Sequence, residues 1–169
     1  MSEQMIKKVL ITGANGFIGG SLMRYYQNQG QDVVGVDLVG NGNDIIEGDI
    51  AQPDSISHVL QECDVIIHTA ALVSNAMQDS DMWRVNVLAT RNLIEAAKEH
   101  KVRRFVQISS VVAYGNSAEG ELDESQPVHA DGGSYVLTKL ASEHVVLGAQ
   151  ANDDIEVVIL YTYYASDDL

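Results

Sequence analysis

The sequence predicts an α/β fold, a doubly wound three-layer sandwich on a parallel sheet of about six strands. Three observations predict it. Apolar runs and helix-periodic stretches alternate from end to end, as in repeated βαβ units. The apolar runs, such as Val33-Val34-Gly35-Val36 and Val65-Ile66-Ile67, are continuous and not alternating, which marks strands covered on both faces. The first of them also runs into a turn with evenly spaced glycines. With 169 residues, 46% of them apolar, the chain suits one well-filled core, and we read residues 1–169 as a single domain.

The first strand, Lys8–Thr12, leads into Gly13, Gly16 and Gly19 in the pattern G-x-x-G-x-x-G, and helix Phe17–Gln29 follows. Glycine is needed where a chain turns tightly, where backbone must touch a pyrophosphate, and where helix packs on strand. A phosphate would then sit on the helix N-terminus. The second strand, Asp32–Leu38, carries Asp37, near the spacing of about 20 residues at which an acidic side chain accepts hydrogen bonds from an adenosine ribose. A carboxylate there repels a 2′-phosphate, so NAD is expected over NADP; the plainer reading is a solvated loop carboxylate.

Strand Ile45–Gly48 precedes Asp49 and Ile50, helix Ile56–Glu62 follows, and strand Val65–Thr69 precedes Ala70 and Ala71. In an open parallel sheet the ligand crosses the carboxyl ends of the strands, where both segments fall. Small residues at Thr69, Ala70 and Ala71 would let a dinucleotide lie close to the backbone. Asp49 is equally a helix cap, and His68 reads as a packed histidine. In the next helix, Asp81–His100, residues Val85, Leu88, Ala89, Leu93 and Ala96 recur at helical spacing, and Lys98 suits the negative C-terminal pole.

Strand Phe105–Ser109 enters Ser109-Ser110-Val111-Val112-Ala113-Tyr114-Gly115, and a polar stretch from Gly115 to Gly133 separates it from helix Ser134–Gln150. A last strand covers Glu156–Tyr161. Tyr135 and Lys139 lie four apart on the helix, hence on one face. A free tyrosine titrates near pH 10, so acting as a base near neutrality requires a shift of about three units, or about 4 kcal/mol. An ammonium about 4 Å away supplies roughly that much at an effective dielectric near 20. The phenol would then exchange a proton with a substrate oxygen while hydride passes to or from nicotinamide, and Ser110, the choice over Ser109, would hold that oxygen.

Composition narrows the partners. The net charge of −14 disfavours DNA, other polyanions and anionic membranes. No apolar run approaches the roughly 18 residues of a membrane span, and the N-terminus lacks a secretory pattern, so a cytoplasmic location is expected. Cys63 is the single cysteine and reads as a small apolar residue beside a strand in preference to a reactive thiol. The five histidines show no metal-ligand spacing, and no metal is expected.

Taken together, Thr12–Gly19 (T-G-A-N-G-F-I-G), Asp37, Gly48–Ile50, His68–Ala71, Asn86–Ala97, Ser109–Gly115 and Tyr135–Lys139 resemble the extended short-chain dehydrogenase/reductases, the NAD-dependent epimerase/dehydratase family. The resemblance implies a Rossmann domain in which Asn15, Phe17 and Ile18 border the pyrophosphate within the glycine turn. It implies that Asp37 holds the ribose, that Asp49 and Ile50 flank adenine, and that Thr69, Ala70, Ala71 and Asn86 line the groove. Ser110, Tyr135 and Lys139 would form the catalytic set, Lys139 also bonding the nicotinamide ribose. The substrate implied is a small molecule such as a nucleotide sugar. A homodimer through the helices beginning near Asp81 and Ser134 is implied as well.

The end of the chain departs from that family. Leu160-Tyr161-Thr162-Tyr163-Tyr164 and the acidic tail stand where the family carries an Arg-Pro-like turn and a long substrate-binding segment. Two readings therefore stand at this stage: an NAD-dependent oxidoreductase, epimerase or dehydratase, or an NAD-binding module that is catalytically idle without a C-terminal substrate lobe.

Overall fold

A computed structural model describes residues 6–73, 79–114, 123, 125–129, 133–150 and 155–163. Six strands form one sheet: β1 (Lys8–Thr12), β2 (Asp32–Asp37), β3 (Ile45–Glu47), β4 (Val65–His68), β5 (Arg104–Ser110) and β6 (Glu156–Thr162). Their spatial order is β3-β2-β1-β4-β5-β6, and every pairing is parallel. The order reverses between β1 and β4, which opens a crevice at the carboxyl ends of these strands.

Parallel pairing buries both faces of the central strands because right-handed crossovers carry helices over each side. Leu10, Val34, Val36, Ile66 and Phe105 pack beneath α2 (Ser57–Leu60), α4 (Thr90–Glu99) and α5 (Ser134–Gln150). The alternate residues Val9, Ile11, Val65, Ile67 and Ile108 face α1 (Phe17–Asn28) through Met23 and Ile18. Coverage thins toward β6, where Leu160 is 49% exposed. Cys63 is buried in the first of these clusters, and burial pushes its thiol up to about 12, as suits a packed side chain.

The predicted strands match to within a residue at their ends, and α5 has the predicted bounds. Two helices differ. The expected Ile56–Glu62 helix is a 3-10 turn, Pro53–Ile56, followed by the single turn of α2. The Ile56 backbone, at φ −119° and ψ 11°, leaves the helical region at the residue where the longer helix was expected to begin. The expected Asp81–His100 helix is three segments: α3 (Asp79–Met82), a π turn over Trp83–Ala89, and α4. A second 3-10 turn, Val111–Tyr114, follows β5. Gly115 and the tail from position 164 onward lie outside the described residues.

Candidate functional site

The turn after β1 is shaped by glycines. Gly13 has φ +69°, and a methyl group there would lie 2.8 Å from the Ala70 backbone. At Gly19 a methyl would meet the Gly13 carbonyl oxygen at 2.1 Å. Bare backbone is thus required for β1, α1 and the segment after β4 to approach one another. Gly16 caps α1 without any side-chain hydrogen bond, so the first-turn N–H groups at Phe17 and Ile18 open onto the crevice.

Beside this turn Asp37 ends β2, and its carboxylate accepts from the Asn15 and Leu38 N–H groups, both at 2.8 Å. Asn15 donates in turn from Nδ2 to the Val39 carbonyl at 2.7 Å, locking the glycine turn to β2. Asp49 accepts from the Ala51 N–H at 2.9 Å, the local turn-capping role that the sequence also allowed. Thr69 Oγ1 donates to the Thr12 carbonyl at 2.7 Å and draws the end of β4 onto β1.

These residues share one cleft of about 760 Å³. Its walls include Gly13, Asn15, Gly16, Phe17, Ile18, Gly19, Asp37, Asp49, Ile50, Thr69, Ala70 and Ala71 at one end, and Tyr135 and Lys139 at the other. The expected cofactor and acid/base residues therefore meet in a single space. Two expected residues are not part of those walls. Asn86 is buried in the π turn, where its amide accepts from the Leu72 N–H at 2.7 Å and donates to the Leu72 carbonyl at 3.0 Å and to Thr138 Oγ1 at 3.1 Å. It ties the segment after β4 to α5 in place of lining the groove. Ser110 is a neighbour of the Tyr135 phenol that favours its ionised form, and Ser109 is on the cleft wall.

The electrostatics of the acid/base pair differ from the expectation. Burial pushes the Tyr135 phenol up, opposed by the Ser110 hydrogen bond, and Lys139 is not among the influences on it. The Lys139 ammonium donates to the Ile108 carbonyl at 2.6 Å, anchoring on the strand end. Burial draws its own pKa down to about 8, with Glu143 acting the other way. Glu143 escaped the sequence reading, although it continues the four-residue spacing of Tyr135 and Lys139. Arg84, on the π turn, also lines the cleft and was not anticipated.

Below the cleft His68 is buried between two threonines. Its Nδ1 lies 2.7 Å from Thr12 Oγ1, and its Nε2 lies 2.9 Å from Thr90 Oγ1. Thr90 donates to the Asn86 carbonyl at 2.8 Å, so it accepts from Nε2–H, and Nδ1 accepts from Thr12. The ring is neutral, its pKa lowered to about 3 by burial and by the charge of Lys139.

Sheet order, the glycine turn and the Tyr135–Lys139 face of α5 on the same cleft mark a Rossmann-type chain of the short-chain dehydrogenase/reductase class. Within that class the chain belongs to the NAD dependent epimerase/dehydratase family, whose model matches residues 9–164. It is 30% identical to a dTDP-glucose 4,6-dehydratase from Streptomyces niveus, over 90% of this chain and 52% of that protein. A short-chain dehydrogenase/reductase superfamily protein from Agrobacterium tumefaciens, solved with bound NAD, superposes with TM-score 0.85 at 31% identity, covering 95% of this chain and 50% of the other. A UDP-glucuronic acid 4-epimerase from Bacillus cereus, in complex with NAD, gives TM-score 0.79 at 32% identity over 91% of this chain and 56% of the other. The chain thus spans about half the length of the relatives it matches.

Proposed function

We propose that this chain binds NAD in the cleft and carries the proton-transfer residues of an epimerase, dehydratase or related oxidoreductase acting on a carbinol or carbonyl carbon. The observation that supports this most directly is the meeting of the glycine turn, Asp37 and the Tyr135–Lys139 face in one space. The uncapped start of α1 suits a pyrophosphate. The Asp37 carboxylate, held at the end of β2, suits a ribose with free hydroxyls and repels a 2′-phosphate.

NAD, when bound, supplies the hydride acceptor or donor. The chain's own residues hold the substrate oxygen and move its proton: Ser110 orients it, and the Tyr135 phenol gives or takes the proton. Lys139, fixed on Ile108 and on the helix face it shares with Tyr135, would hold the nicotinamide ribose. Nucleotide sugars are the proposed substrate class, since the relatives include a dTDP-glucose dehydratase and a UDP-glucuronic acid epimerase. We also propose a homodimer through the helical stretch formed by α3, the π turn and α4, together with α5.

Calorimetric titration with NAD and NADP, paired with turnover assays on sugar nucleotides, tests the reading. NAD should bind more tightly than NADP. Tyr135→Phe should retain NAD affinity while turnover falls by about a hundredfold or more. The coverage of about half of each relative favours a second reading, an NAD-binding unit idle by itself, and tight NAD binding without any turnover would select it. No binding of either dinucleotide would sink both.

A further inference from the structure

We infer that Glu143 is a positioning residue for the acid/base pair, its buried carboxylate holding the Lys139 ammonium charged and in place on the face of α5 that also carries Tyr135. The inference rests on the reading of Tyr135 and Lys139 just given and deepens it.

Tyr135, Lys139 and Glu143 follow one another at four-residue intervals along α5 and so share one face. Lys139 and Glu143 are each 4% exposed. A carboxylate at such depth requires donors on its oxygens. Both are supplied: Ser109 Oγ donates to Oε1, and the Tyr161 hydroxyl donates to Oε2 at 3.1 Å. Ser109 and Tyr161 are register partners on β5 and β6, so their hydroxyls reach the helix from adjacent strands on one face of the sheet. Meanwhile the ammonium bonds to Ile108, the residue before Ser109. Cation and anion are thereby clamped to two consecutive residues at the end of β5.

Several other groups lie around the Lys139 and Glu143 side chains on the surrounding elements. His68 on β4 is neutral, as its burial between Thr12 and Thr90 requires. The Tyr135 and Tyr161 phenols are both pushed up by burial and carry no charge near neutrality. Ser109 and Ser110 on β5 are uncharged. Glu143 is the anion that acts on Lys139, and it opposes the burial that would strip the proton away.

The test is a heteronuclear NMR titration of the lysine side chains on the full 169-residue chain, with Lys139 assigned by its loss in Lys139→Met. Glu143→Gln keeps the shape and removes the charge. It should move the Lys139 midpoint down by about one unit or more, and Glu143→Asp, which restores the charge, should recover at least about half of that shift. An unmoved midpoint in folded Glu143→Gln overturns the inference and leaves a merely structural link between α5 and the sheet.

Should Glu143→Gln not fold, the double variant with Lys139→Met removes both charges together and should fold again, because the buried ammonium is no longer left without its anion. A double variant as unfolded as the single one overturns the inference equally. NAD titration of the wild-type chain keeps the two readings apart, because failure to bind NAD sinks the cofactor assignment without altering the lysine midpoint.

Discussion

His68 shows how a single side chain can set the acid limit of this fold. Its folded pKa of about 3 lies below the usual 6.5, so below pH 6.5 the unfolded chain binds the additional proton. Stability is therefore fully present above about 6.5 and declines as pH falls toward 3. Two pH units below 6.5, at pH 4.5, the loss from this group is on the order of 3 kcal/mol. Denaturant unfolding of wild type and His68→Gln between pH 7 and 4.5 checks this; a wild-type stability no more acid-sensitive than the variant's would refute it. Residues of this kind were only partly legible. Asp37 and Tyr135 stood out because their spacing from the glycines and from Lys139 carries chemical meaning. Asn86 was assigned to the groove, whereas its amide faces Leu72 and Thr138. That difference lies in which way a buried amide points within a π turn, which residue spacing does not encode.

At the scale of elements, the strands were readable because burial on both faces makes each a continuous apolar run bounded by polar or glycine residues. Helix α5 was readable through its length and its polar start at Ser134. The π turn was not, since one extra residue over Trp83–Ala89 barely alters an apolar period already blurred between three and four. Its effect is to rotate the segments on its two sides relative to each other, turning Asn86 inward while Leu88 stays 51% exposed. On α5, Leu147 is likewise 51% exposed. These apolar side chains lie on the elements assigned to the dimer, where a second copy would remove them from water. Light scattering should give about twice the 18.3 kDa mass of one chain, and charged substitutions at Leu88 and Leu147 together should return it to the single-chain value. A single-chain mass for the wild type would dismiss the pairing.

For the molecule as a whole, the order of strands was implied by the βαβ alternation together with the glycine turn, because crossovers of one hand leave few alternatives. How thickly each strand is covered was not legible, for it depends on which helices lie over which face. The central strands β1 and β4 are buried throughout or nearly so, whereas β6 is a border strand that is only partly covered. Native proteins open in parts, and the least covered border opens at the lowest cost. Amide hydrogen exchange should therefore proceed faster in β6 than in β1 and β4; equal protection of β6 and β1 would contradict this. Because Tyr161 sits on β6, each such opening withdraws a donor from Glu143. The Lys139–Glu143 face of α5 is thus coupled to the breathing of a border strand, and whatever clamps that border would also quiet that face.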